Sequence, residues 1–90
     1  MDLNSIKESI VTKVYHVNSE TKVPLHKHEE QDEIFYCIKG SGFGVLEESE
    51  VELNVGVSFT VPAGTIHSVR SDGELYVTAF LVPVVNDRSE

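Results

Sequence analysis

Three of the four histidines in this 90-residue chain stand where they could share one ion. His26 and His28 are separated by a single residue in a stretch that reads as extended after Pro24. Extended alternation puts both imidazoles on one face with α-carbons roughly 6.7 Å apart, a spacing from which they can converge on one centre. Glu33 opens the apolar run Ile34-Phe35-Tyr36-Cys37-Ile38, so its carboxylate belongs at the mouth of a strand. His67 follows Pro62-Ala63-Gly64, where a turn ends and a new strand begins. Three imidazoles and one carboxylate make a borderline-hard donor set. It suits one divalent transition metal per chain (Fe, Mn, Ni, Co or Zn), with positions left open for water or substrate. The competing arrangement is metal-free, with the same four side chains hydrogen-bonded to one another.

Short strands have to position these residues. Val51, Leu53 and Val55 alternate with Glu50, Glu52 and Asn54, and Val57, Phe59 and Val61 alternate with Ser58 and Thr60, a period of two. Ile34 to Ile38 and Leu75 to Val82 are apolar on both faces and rich in β-branched and aromatic residues, which favours strand over helix. Turn signals punctuate the chain at Lys39-Gly40-Ser41-Gly42, Glu47-Glu48-Ser49, Asn54-Val55-Gly56, Pro62-Ala63-Gly64 and Ser71-Asp72-Gly73. The pattern predicts about eight short strands, at 11–17, 22–28, 33–39, 43–47, 50–54, 57–61, 66–71 and 74–82. Ahead of them, Ser5-Ile6-Lys7-Glu8 fits a capping box that would start one short helical turn before Ile10; a frayed end is the other reading. The fold class is all-β, a sandwich or barrel.

Composition narrows the function. Ninety residues supply one domain, 1–90, with one thin core. Fifteen acidic against seven basic side chains give a net charge of −8. Duplex nucleic acid and anionic membrane surfaces are therefore poor partners, since both need clustered Lys and Arg. One cysteine excludes an internal disulfide scaffold and a zinc ribbon. The sequence from Met1 to Ser5 has neither a basic nor an apolar targeting region, and Leu75 to Val85 is too short to span a bilayer, so a cytoplasmic location is expected.

The spacing of the site residues resembles the cupin superfamily. His26-x-His28, four residues, Glu33, six residues and Gly40 reproduce the core of the first cupin motif, spanning about 20–40. Gly56, five residues, Pro62-x-Gly64, two residues and His67 reproduce the second, about 56–71. The resemblance implies a jelly-roll β-barrel with a metal near its mouth, held by His26, His28, Glu33 and His67. Two framework positions depart from the pattern. Glu20 stands where the first motif usually begins with Gly, and Ser71 where the second usually closes with Asn, which bears on local turns more than on the ligands.

The remaining candidates have plain readings. His16 reads as a surface strand residue, and Glu29, Glu30 and Asp32 as a solvated acidic face. Cys37 has the parity of Glu33 and Phe35, so it should point inward below the site as a buried, inert thiol. Tyr36 and Arg70 have the opposite parity and should face outward. The inward set is Phe35, Cys37, Val57, Phe59, Val61 and Val69, with Ser71 at one end and no Lys or Arg clearly among them. A metal-dependent enzyme acting on a small organic molecule is the expected function, of the dioxygenase, isomerase or decarboxylase type known among cupins. Glu33 is the one candidate catalytic carboxylate. A non-catalytic metal- or metabolite-binding sensor module is the alternative. The doubly apolar run at Leu75–Val82 predicts a homodimer covering it, or cover by the chain's own N-terminal segment.

Overall fold

A computed structural model describes residues 3–84. One short helix, α1 (Leu3–Ser9), precedes six strands: β1 (Val11–Asn18), β2 (Gln31–Leu46), β3 (Glu50–Asn54), β4 (Ser58–Val61), β5 (His67–Arg70) and β6 (Glu74–Pro83). All pairings are antiparallel, and β2 is their hub. Its first half lies between β6 and β4, with Glu33 opposite Leu81 on one side and Val61 on the other. Its second half lies between β3 and β5, with Gly44 opposite Val51 and Val69. Strand β1 adds to the far side of β6, from Val11 opposite Leu81 to Asn18 opposite Glu74. Two sheets thus share one long strand and enclose a core drawn from both, including Phe35, Cys37, Leu75 and Val77 from one and Leu53 and Val69 from the other.

The all-β jelly-roll expectation holds, but the strands are divided differently. The segments 33–39 and 43–47 form one continuous strand, and Lys39-Gly40-Ser41-Gly42 is a bend within it rather than a turn. The register slips between Cys37 and Lys39, and Gly40 takes φ +81°. A β-carbon at Gly40 would lie 1.9 Å from the Glu74 carbonyl oxygen, and one at Gly44 only 2.4 Å from the Phe59 ring. Glycine serves here to let strands approach at a corner, as it does at bulges.

The expected strand 22–28 is absent. Its one ladder element is a bridge in which His26 and His67 exchange both backbone hydrogen bonds, at 3.0 and 2.8 Å. Pro24 has no N–H to extend that ladder. Val57 is 36% exposed instead of inward: it sits in the turn closed by its own amide on the Asn54 carbonyl, ahead of β4. The helix begins at Leu3, so Ser5 lies inside it and does not open it.

Along β6, Leu75, Val77, Ala79 and Leu81 are buried while Tyr76, Thr78, Phe80 and Val82 on the other face are half-buried. β1 covers the edge of β6, not that outer face. Among the described residues, no helix is long and apolar enough to cross a membrane.

Candidate metal centre

The four expected ligands come from three segments of the chain and meet at one point. One donor atom from each of His26, His28, Glu33 and His67 lies within 4.8 Å of every other. Glu33 points inward because its neighbours in the alternation, Phe35 and Cys37, fill the core below it. It is 3% exposed. His67 begins β5 at 1% exposure, its backbone locked to His26 and its ring edge against Phe35. His26 and His28 are more open than Glu33 and His67, the His28 side chain being 31% exposed, and the His28 carbonyl accepts the amide of Gly64 at 2.8 Å.

The hydrogen bonds fix which ring nitrogens face the centre. Nδ1 of His26 is 2.9 Å from the Pro24 carbonyl and Nδ1 of His67 is 2.8 Å from the Thr65 carbonyl. A carbonyl only accepts, so both Nδ1 atoms carry hydrogen, and the neutral rings turn bare Nε2 lone pairs inward. Oε1 of Glu33 lies 2.9 Å from Nε2 of His67 and 3.2 Å from Nε2 of His28. A neutral ring offers that lone pair to a cation, whereas a ring protonated at Nε2 would donate to Glu33. Ligand bonds of about 2.1 Å put adjacent donors about 3.0 Å apart, close to both separations. The donor chemistry and the spacing both fit a divalent transition metal.

Asp32, expected on a solvated face, instead accepts the Ala63 amide at 2.8 Å and so ties the start of β2 to the Pro62-Ala63-Gly64 turn that precedes His67. Nothing in the sequence near Asp32 signals a partner 31 residues away. Glu29 pairs with Lys27 at 2.9 Å and holds that ammonium above its ordinary pKa, and Glu30 is exposed. His16 is a surface strand residue whose ring stacks on Tyr76 and pairs with Glu74. Tyr36 and Arg70 face outward. Arg70 lies over the Phe43 ring and grips Glu50 at 2.5 and 2.7 Å, which raises the guanidinium pKa and lowers that of the carboxyl. Cys37 is fully buried with its thiol directed at the Lys39 and Gly40 carbonyls, below the site. At the departing framework positions, Glu20 is exposed, and Ser71 donates to the Ser41 carbonyl and accepts from the Gly73 amide, closing that corner.

The site opens into a cavity of about 170 Å³ walled by Val17, Val23, Phe35 and Val69, with Tyr15, His16 and Thr21. Phe35 and Val69 were expected inward. Tyr15 was not singled out, because alternation in β1 gives two mixed faces and only the pairing with β6 decides which one is inner.

A cupin-domain profile matches residues 13–83. The chain belongs to the cupin family. Among curated relatives, this cupin is 30% identical over 70 residues to an uncharacterised protein of Methanocaldococcus jannaschii, covering 78% of this chain and 54% of that one. It is 43% identical over 47 residues to quercetin 2,3-dioxygenase of Bacillus subtilis, covering 52% of this chain but only 14% of that one. The chain thus spans about half the length of the first relative and a small part of the second. Among solved structures, a predicted oxalate decarboxylase from Thermotoga maritima superposes with TM-score 0.77 at 21% identity, over 93% of this cupin and 76% of that chain. That likeness is one of fold.

Proposed function

We propose that this cupin holds one divalent transition metal (Fe, Mn, Ni, Co or Zn) on His26, His28, Glu33 and His67 and is a metal-dependent enzyme of dioxygenase, isomerase or decarboxylase type acting on a small organic molecule. The observation that carries the reading is the convergence of those four donors at an apolar-walled cavity. The stretch shared with quercetin 2,3-dioxygenase is consistent with it. A metal there supplies a Lewis acid or a redox centre.

The chain's own residues do the rest. The Pro24 and Thr65 carbonyls hold two imidazoles in the donor orientation. Phe35, Val17 and Val69 keep water from the reacting face. Glu33, the one carboxylate in the cavity wall, is the group placed to take a proton from substrate and return it. We place the protein in the cytoplasm, where a lone thiol such as Cys37 stays reduced. A second copy over the half-buried outer face of β6 would form a homodimer; a light-scattering mass near 10 kDa would exclude it.

One observation favours the sensor reading: outside the four ligands the titratable side chains in the wall are Tyr15 at its edge and His16, which is already paired with Glu74. Elemental analysis of untagged, chelator-free protein beside a His26→Ala, His67→Ala double variant tests the centre. Close to one metal per chain, lost in the variant, is expected. Protein that arrives metal-free and also refuses Fe(II), Mn, Ni and Zn sinks the proposal.

A further inference from the structure

The cavity wall and the charge of the centre together restrict what can bind. About 170 Å³ is well below the roughly 300 Å³ at which pockets for drug-sized ligands begin, so the ligand is small. Among the described residues no Lys or Arg lines this cavity. Thr21 is already engaged, accepting the Asn18 amide at 3.0 Å and donating to the Asn18 side chain at 3.1 Å. Tyr15 remains. It pairs across β6 with fully buried Val77, which sets it on the inner face, and at 37% exposure it stands at the cavity's edge. Lys13 shares that face opposite Ala79 but is exposed and lines no part of this cavity.

Three neutral imidazoles and one carboxylate carry a charge of −1, and a divalent cation brings the centre to +1. A ligand adding one negative charge leaves the cavity neutral. A dianion leaves a net charge against a largely apolar wall with no Lys or Arg to offset it and with its His16 already matched by Glu74, which is strongly disfavoured. Four protein donors on a six-coordinate ion leave two positions for ligand oxygens.

Building on the metal reading, we infer that the cavity selects small, apolar-bodied molecules that bind as monoanions through two adjacent oxygens, with Tyr15 donating a hydrogen bond to one of them. Enolised hydroxyketones, hydroxytropones and singly deprotonated catechols have this chemistry; the proton each loses on binding goes to solvent. Dianions such as oxalate are rejected.

The test uses cobalt-loaded protein, whose visible spectrum reports ligands at the ion whether or not any reaction follows. Tropolone and oxalate are titrated into wild type, Tyr15→Phe and Lys13→Met, each Kd being referred to that ligand's affinity for aqueous Co(II). On that scale wild type should prefer tropolone by at least about tenfold, since oxalate would bury an unpaired charge. Tyr15→Phe should weaken tropolone by about two- to tenfold, the value of one hydrogen bond, with cobalt stoichiometry and oxalate affinity unchanged. Oxalate bound as well as tropolone overturns the charge selection, and its loss in Lys13→Met would identify the lysine as the reason. Equal tropolone affinity in Tyr15→Phe overturns the role of Tyr15. Failure to take up cobalt is a different result and overturns the metal reading itself.

Discussion

Replacing Glu33 by Gln should stabilise the metal-free protein and weaken the metal-loaded one. In wild type, Oε1 of Glu33 sits 2.9 Å from Nε2 of His67 and 3.2 Å from Nε2 of His28. The Nδ1 hydrogen of His67 is spent on Thr65, so a neutral ring has only a lone pair left for the carboxylate. Without a cation, a carboxylate at 3% exposure faces the lone pair of a neutral His67, and burying such an ion costs several kcal/mol even after relaxation. A Gln amide nitrogen in the same place carries no charge and two hydrogens, one for each Nε2. Two neutral hydrogen bonds at roughly 1 kcal/mol each give about 2 kcal/mol. That corresponds to a rise of about 8–16 °C in Tm for a domain of this size. With metal the order reverses. Wild type should gain about 2.7 kcal/mol at a hundredfold excess of ion over Kd, and the Gln variant, lacking its anionic donor, far less. Scanning calorimetry of chelator-stripped protein with and without Ni(II) measures both. A Gln variant that melts below stripped wild type would refute the reasoning. The carboxylate would then already have a positive partner, and the cluster would be a closed hydrogen-bonded knot with no use for an ion.

Other outcomes follow from the corner, the core and the surface. Gly40→Ala meets the Glu74 carbonyl at 1.9 Å as well as an unfavourable φ, whereas Gly56→Ala, at φ +91°, meets nothing within 4 Å. Urea denaturation should give about 1–2 kcal/mol of destabilisation for Gly56→Ala and clearly more for Gly40→Ala; equal losses would remove the close approach as the reason for glycine at 40. Cys37, fully buried, should stay silent toward Ellman's reagent in native protein and react once urea unfolds the chain; a fast native reaction would contradict its burial. Arg70 lowers the Glu50 pKa in the folded state, so the stability from this pair is present at neutral pH and is lost as pH falls below the ordinary carboxylate range. Tm measured against pH should therefore fall less steeply in acid for Arg70→Met than for wild type, and parallel curves would count against the linkage.

The ligand set was legible in the sequence because each of its members is marked locally. His26 and His28 share a face by spacing alone, Glu33 heads an apolar run, and His67 follows a Pro-Gly turn. Phe35, Tyr36 and Cys37 follow strand parity because β2 alternates cleanly from Glu33 to Cys37. In β5, by contrast, Ser68 is buried along with His67 and Val69, and Arg70 is turned outward by Glu50 and the Phe43 ring. What failed was set by contacts distant in sequence. Lys39-Gly40-Ser41-Gly42 has the composition of a turn, yet its glycine at 40 answers to the Glu74 backbone rather than to a chain reversal. The stretch 22–28 has the alternation of a strand but not the run of amide donors a ladder needs. Asp32 looked solvated because its partner, the Ala63 amide, is brought near only by folding. Tyr15 became an inner residue only once β1 was registered against β6.

The role of β2 as a shared strand has a consequence for how the chain reaches its native state. Among the described residues, only the pairing of β2 with β3 joins strands adjacent in the chain; β1 with β6, and β2 with β4, β5 and β6, all close longer loops. The β2–β3 hairpin can form on its own within microseconds, whereas the rest must first meet the entropy of distant ends, which places the domain among millisecond-to-second folders. A circular permutation opening the chain at Glu47-Glu48-Ser49 would remove that one early hairpin while leaving every ligand in place. It should slow refolding more than it speeds unfolding. Because Glu33 and His67 come together only when the late pairings close, the centre forms as a final product of folding and cannot seed it.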